Sequence, residues 1–148
     1  MTLDDWLSNR WLTRHSTAPQ EVADLLAVAD RDLGDCRVPG LSPDARLSLA
    51  YSAAVQLATA ALAAEGFRPG RAGPHHHWAI QSLAHTLGAG DDLVGQLDKF
   101  RKKRNVLAYE RAGSVSDQEA DEMLQLALAL QQRVKAWLRS EHPDLLSQ

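Results

Sequence analysis

The sequence holds a single cysteine, Cys36, so no intramolecular disulfide can form and nothing in the cysteine usage points to an oxidising compartment. Aromatic residues make up only 5% of the chain. Stacking platforms for nucleobases are therefore scarce, and near the most basic stretch only Tyr109 qualifies, because Phe100 falls on an apolar stripe. Alternating apolar runs with β-branched bias, internal repeats and low-complexity tracts are all missing, which points away from sheet and repeat architectures. No stretch is expected to approach the length of a membrane span, and Met1-Thr2-Leu3-Asp4-Asp5-Trp6 lacks the basic start and apolar run of a signal peptide. The expectation is a soluble cytoplasmic protein without a membrane partner. Also missing are a Gly-x-Ser-x-Gly elbow, a phosphate loop, a His-Glu-x-x-His pair and a dinucleotide-binding glycine pattern. No cofactor is expected. Neither sign of charge dominates: a formal net charge of −3 argues against blanket affinity for polyanions while leaving room for a local basic site.

What the 148 residues do hold is helix punctuation. The length fits one domain, 1–148, whose core needs neither metal nor disulfide. Leu3, Trp6, Leu7, Trp11 and Leu12 crowd a segment too short to be stable as an isolated helix. Residues 1–15 are expected to dock, either as a lid on the domain's own core or as an anchor for a second subunit, since Trp is enriched at interface hot spots. Thr17-Ala18-Pro19-Gln20 predicts a helix start with a hydroxyl cap and an early proline; Ser42-Pro43-Asp44 predicts another, running to about Glu65 before Gly66. The face Leu47, Tyr51, Ala54, Ala58, Ala61, Leu62 of that second helix is rich in alanine, which lets another helix approach closely. Phe67 to Pro74 reads as a loop, His75 to Leu87 as a third helix, and Asp91 or Asp92 as the start of a fourth that ends near Gly113. Ser116-Asp117-Gln118-Glu119 is a capping box opening a fifth helix to about Arg139. That helix is apolar over more than one stripe, which calls for a central place or a partner on its second face. Residues 142–148 read as a flexible tail. The expected fold class is all-α, an antiparallel up-and-down bundle of about five helices.

The fourth helix carries an anomaly. Positions 93, 97, 100, 104, 107 and 111 step by threes and fours along one face and read Leu93, Leu97, Phe100, Arg104, Leu107, Arg111. Two guanidiniums on an apolar stripe each need a partner, because burying an unpaired charge is among the costliest things a fold can do. The segment Lys99-Phe100-Arg101-Lys102-Lys103-Arg104 holds five cations in six residues. Lys99, Lys102 and Lys103 fall opposite the stripe and make a solvated flank. With Arg101 and Arg111, and doubled along a dimer cleft, the same cations could hold a nucleic-acid backbone in a salt-dependent way. His75, His76 and His77 invite a metal, yet successive residues on a helix point about 100° apart and cannot chelate one ion together. No metal site is expected, and His77, Gln81 and His85 read as a polar edge facing solvent or a partner.

The arrangement Arg104-Asn105-x-x-x-Tyr109 resembles the signature of the HEPN superfamily of small all-α proteins, an Arg with a polar companion and a His four to six residues further along. The resemblance extends to the plan, with a late helix carrying Arg-Asn and one more amphipathic helix behind it. It implies a homodimer in which two such motifs meet in a cleft and cut RNA without a metal, in a bacterial toxin–antitoxin, defence or stress system. Arg104 would hold the scissile phosphate, Asn105 would orient it, and Tyr109, standing where the family has His, would donate a hydrogen bond. A phenol near pKa 10 does not exchange protons at neutrality as imidazole does. The alternative the resemblance leaves open is a non-catalytic helical module that docks a partner protein, such as a nucleotidyltransferase. From the residues alone, Arg104 could equally pair with a carboxylate inside the bundle or at a dimer seam. Five residues of straight helix turn about 140°, so Arg104 and Tyr109 of one chain do not share a face, whereas Asn105 and Tyr109 do.

Overall fold

The computed structural model describes residues 1–71, 73–109 and 113–146, with the backbone alone for Leu107, Ala108 and Tyr109. Among them the chain forms six α-helices, two short strands and a closing 3-10 turn: α1 (Leu3–Ser8), β1 (Leu12–Arg14), α2 (Pro19–Asp35), α3 (Pro43–Ala64), β2 (Phe67–Pro69), α4 (His75–Thr86), α5 (Asp91–Tyr109), α6 (Asp117–Glu141) and the turn Pro143–Leu146. The all-α expectation holds. The helix beyond the expected five is α1, whose six residues are stabilised by a capping box between Thr2 and Asp5.

The bundle is built around α3, which packs against α2, α4, α5 and α6. Ser42 caps it by accepting from the Ala45 amide at 3.1 Å, Pro43 opens it, and Gly66 leaves it at φ +90°. Leu47, Tyr51, Ala54, Ala58, Ala61 and Leu62 are all buried, so the small side chains admit neighbours on several sides. Burying each of the three leucines Leu47, Leu57 and Leu62 contributes roughly 1.5–3 kcal/mol. This helix also corrects the reading that no stretch approaches a membrane span. It runs 22 residues at a mean hydropathy of 1.5 and is long and apolar enough by composition, but 67% of that window is buried inside the fold. A helix in contact with four others has the same composition as one in contact with lipid.

Two further expectations change. The α2 start lies one residue later than the hydroxyl cap predicted: Ala18 occupies the cap, Glu21 reaches back to its amide at 3.4 Å, and the Thr17 hydroxyl instead donates to the Ala63 carbonyl at 2.6 Å. The 67–74 segment is not all loop, because β2 pairs antiparallel with β1 in the register Leu12↔Pro69, Thr13↔Arg68, Arg14↔Phe67. Three-residue strands carry no legible period; what holds them is a second small core of Trp6, Leu12, Leu62 and Phe67, with Leu3, Leu7, Trp11 and Trp78 packed on it. The N-terminal tryptophans are thus lids on the chain's own fold. Glu21 ties the strand pair to α2, accepting from Arg68 at 2.8 Å and bonding His15 at 2.6 Å. At the other end, Leu145 and Leu146 of the 3-10 turn pack against the main core.

Candidate functional site

The N-terminal lid fixes where α4 begins. The Gly70 amide donates to the Trp11 carbonyl at 2.7 Å, and a Cβ at position 70 would stand 2.4 Å from the Arg10 carbonyl oxygen, so only glycine lets the chain pass this close. Trp78, in the first turn of α4, stacks on Trp11 with centroids 4.4 Å apart and meets Trp6 edge-on at 5.3 Å. Held from behind in this way, the three histidines of that turn diverge. His75 is exposed, His76 turns Nδ1 to the Tyr51 hydroxyl at 3.2 Å, and His77 places Nδ1 at 3.5 Å from Asp98 Oδ1. Among the described residues no three His, Cys, Asp or Glu side chains group as a metal site.

Opposite them, α5 presents Asp98, Arg101, Arg104 and Asn105, spaced so that they share one side of the helix. Asp98 accepts from Arg101 Nε at 2.8 Å and lies 3.4 Å from Lys102 Nζ. Burial works against the Asp98 carboxylate, but hydrogen bonds and charge from Arg101, with help from His77 and Lys102, hold its pKa below the ordinary value. The guanidinium of Arg101 is oriented by that bond and only 17% exposed. Among the described residues no carboxylate pairs with Arg104; its guanidinium instead lies over the Tyr51 ring, 5.9 Å from the centroid. His75, His76, His77, Arg101 and Asn105, with Gly73 and Pro74, line a cleft of about 260 Å³.

The electrostatics of the cleft follow from this packing. Tyr51 is 1% exposed; burial pushes its phenol up to about 12, against the opposing pull of Arg101 and Arg104, so it stays protonated through the neutral range. The His76 imidazole is pushed below its ordinary value, first by burial of its inner edge and then by Arg104, His75 and Arg101. The residue is exposed as a whole, with Nδ1 turned to the hydroxyl of the buried Tyr51. A neutral imidazole beside two guanidiniums can accept a proton next to a bound anion.

The other expected site residues are dispersed. Lys102 stays on the solvated flank with its side chain 70% exposed, whereas Lys103 reaches Glu119 at 3.5 Å and ties α5 to the start of α6. Lys99 lines a separate groove of about 580 Å³ between α5 and α6, with Phe100, Leu126 and Ala129 on the apolar side and Asp121 and Glu122 on the far wall. The Tyr109 side chain and Arg111 lie outside the described residues. Cys36 is buried with its thiol donating to the Arg46 carbonyl at 3.3 Å, and burial raises its pKa, away from a reactive thiolate. Sequence reasoning passed over Tyr51 and His76 as a pair. The signal was present in Tyr51, a side chain with a polar tip on an otherwise aliphatic core face, which requires a hydrogen-bonding partner.

Compared with protein-family models, with curated proteins and with solved structures, the chain has no match in any of the three.

Proposed function

We propose that this chain is a HEPN-like RNA-binding protein whose cleft between the first turn of α4 and the middle of α5 takes the phosphodiester backbone. One observation carries the reading: Arg101, Arg104 and Asn105 stand on one side of α5, and Arg101 and Asn105 line a cleft faced by three histidines. Guanidinium groups match the planar, doubly bonded geometry that phosphate oxygens require, and Asn105 adds a neutral donor. The overall charge of −3 makes the affinity local, so it concentrates at this cleft. An all-α bundle with Arg-Asn late in its penultimate long helix supports the HEPN resemblance, and through it a place in a toxin–antitoxin, defence or stress system.

The test is fluorescence anisotropy of a labelled single-stranded RNA in EDTA over a series of salt concentrations. Binding is expected to weaken with salt at a log–log slope of about −0.7 per phosphate neutralised, and Arg101→Ala or Arg104→Ala to reduce that slope by roughly one such step. Equal binding by wild type and both variants would remove the cleft from the reading.

A second reading concerns the α5–α6 groove and supports a homodimer. Lys99 stands on one wall and Asp121 and Glu122 on the other. A twofold axis through the groove would set each copy's lysine against the other's acidic wall, over Phe100 and Leu126.

A further inference from the structure

Beside the cleft stands a carboxylate, a group whose charge works against the anion proposed to bind there. Resting on the RNA-binding reading above, we infer that Asp98 is a positioning residue for that binding, holding the Arg101 guanidinium by one edge and leaving its outer nitrogens open to a phosphate. The partners of Asp98 come from both walls of the cleft. On α5, Arg101 donates from Nε to Oδ1 at 2.8 Å, and Lys102 Nζ lies 3.4 Å from Oδ2. From α4, His77 places Nδ1 at 3.5 Å from Oδ1. The carboxylate thereby ties the histidine turn to the helix that carries Arg101.

The contact with Arg101 is made through Nε alone. A guanidinium carries its N–H donors in one rigid plane, and a two-point pair with a carboxylate would engage an outer nitrogen as well. Here Lys102 lies on Oδ2, the oxygen such a pair would need. Nη1 and Nη2 of Arg101 have no hydrogen-bond partner among the described residues, and Arg101 lines the cleft. The two side chains of the pair are 17% and 16% exposed, so water competes little for the bond between them. An arginine already held in this way loses less rotamer freedom when a phosphate arrives.

Asp98 therefore acts on a bound phosphate in two opposed ways. Its charge repels the ligand, and its hold on Arg101 favours it. Charge alone would make Asp98→Asn bind RNA more tightly, because the variant is the more positive protein. Positioning makes the same variant bind more weakly, because a neutral amide of the same shape holds a guanidinium less firmly than a carboxylate does. The sign of the change separates the two.

The experiment uses the full chain and a labelled single-stranded RNA in EDTA, with affinity read by anisotropy at a low and a high salt concentration. Asp98→Asn is expected to weaken binding by about two- to tenfold, the range set by ordering one long side chain. The loss should persist at high salt, where effects of charge alone fade. Asp98→Glu keeps the carboxylate within reach of a residue three positions on and should recover part of the affinity. Arg101→Lys keeps the charge without the fork and should bind more weakly than wild type, a result that does not depend on Asp98→Asn folding. In an Arg101→Ala background only the repulsion remains, so adding Asp98→Asn should there tighten binding; a merely structural role for Asp98 would weaken both backgrounds alike. Binding by Asp98→Asn as tight as wild type or tighter, equal weakening in both backgrounds, no recovery in Asp98→Glu, or wild-type affinity in Arg101→Lys would each overturn the inference while leaving the binding reading in place. Absence of binding by wild type would overturn both.

Discussion

Tyr51 links the core to the cleft. Its ring sits on the alanine-rich face of α3 and its hydroxyl emerges at His76. Burial pushes the phenol from the ordinary 10 to about 12, so the denatured chain ionises at a pH where the native chain does not. The stability this contributes is fully present below pH 10 and is lost as pH rises through the native value, a drop of roughly 2–3 kcal/mol. Denaturant melts between pH 9 and pH 12 should show that loss in wild type and a smaller one in Tyr51→Phe. An ultraviolet titration in which both tyrosines ionise together near 10 would contradict it. His76 bends the opposite limb: its native pKa is lowered, so its contribution is present above the ordinary imidazole value and is lost as pH falls from there to the native value.

At the level of elements, α3 and α5 differ in how much space surrounds them. Ala58 is fully buried at the centre of α3, where an added side chain has nowhere to go. Gly95, in the interior of α5, has nothing within 4 Å of a built Cβ. Ala58→Leu is expected to destabilise by about 1–3 kcal/mol, and Gly95→Ala to stabilise by roughly 0.5–1 kcal/mol through helix propensity alone. Urea unfolding of the two variants checks both signs at once, and a neutral Ala58→Leu would mean that α3 is less closely covered than its burial indicates. The helix ends show what local sequence can specify. Ser42 with Pro43, and Ser116 with Glu119, act within one turn and were legible. The Thr17 hydroxyl was misread because its acceptor, Ala63, is 46 residues away. The strand pair was invisible for the same reason, its two halves being joined through tryptophans and a leucine distant in the chain.

For the whole molecule, the candidate site was half legible. Arg104 announced itself by breaking an apolar stripe, a local property of α5, and Asn105 was picked out only as its neighbour in the Arg-Asn-x-x-x-Tyr motif. The pairing of His76 with Tyr51 spans 25 residues and depends on how α4 is laid across α3, which no helical period encodes. Arg101 was grouped with the flanking cations, and its orientation came only with Asp98. The proposed homodimer also bears on the groove between α5 and α6. The second apolar face expected for the last helix is present, with Leu126 half-buried beside the groove. Sedimentation equilibrium at tens of micromolar should show dimer for wild type and a shift to monomer for Lys99→Glu, which sets like charges against the acidic wall. A monomeric wild type would reject the twofold arrangement.

The docked N-terminal lid also gives the protein an optical handle on its own cleft. Three of the four tryptophans, Trp6, Trp11 and Trp78, form one cluster directly behind the histidine turn, and Trp78 touches the His77 ring edge-on at 4.9 Å. The fourth, Trp137, lies apart beside His142 and can be replaced by Phe without disturbing that cluster. Tryptophan emission of such a variant would then originate entirely from the cluster behind the histidine turn, so that ligand entry or protonation of the turn could be followed in unlabelled protein.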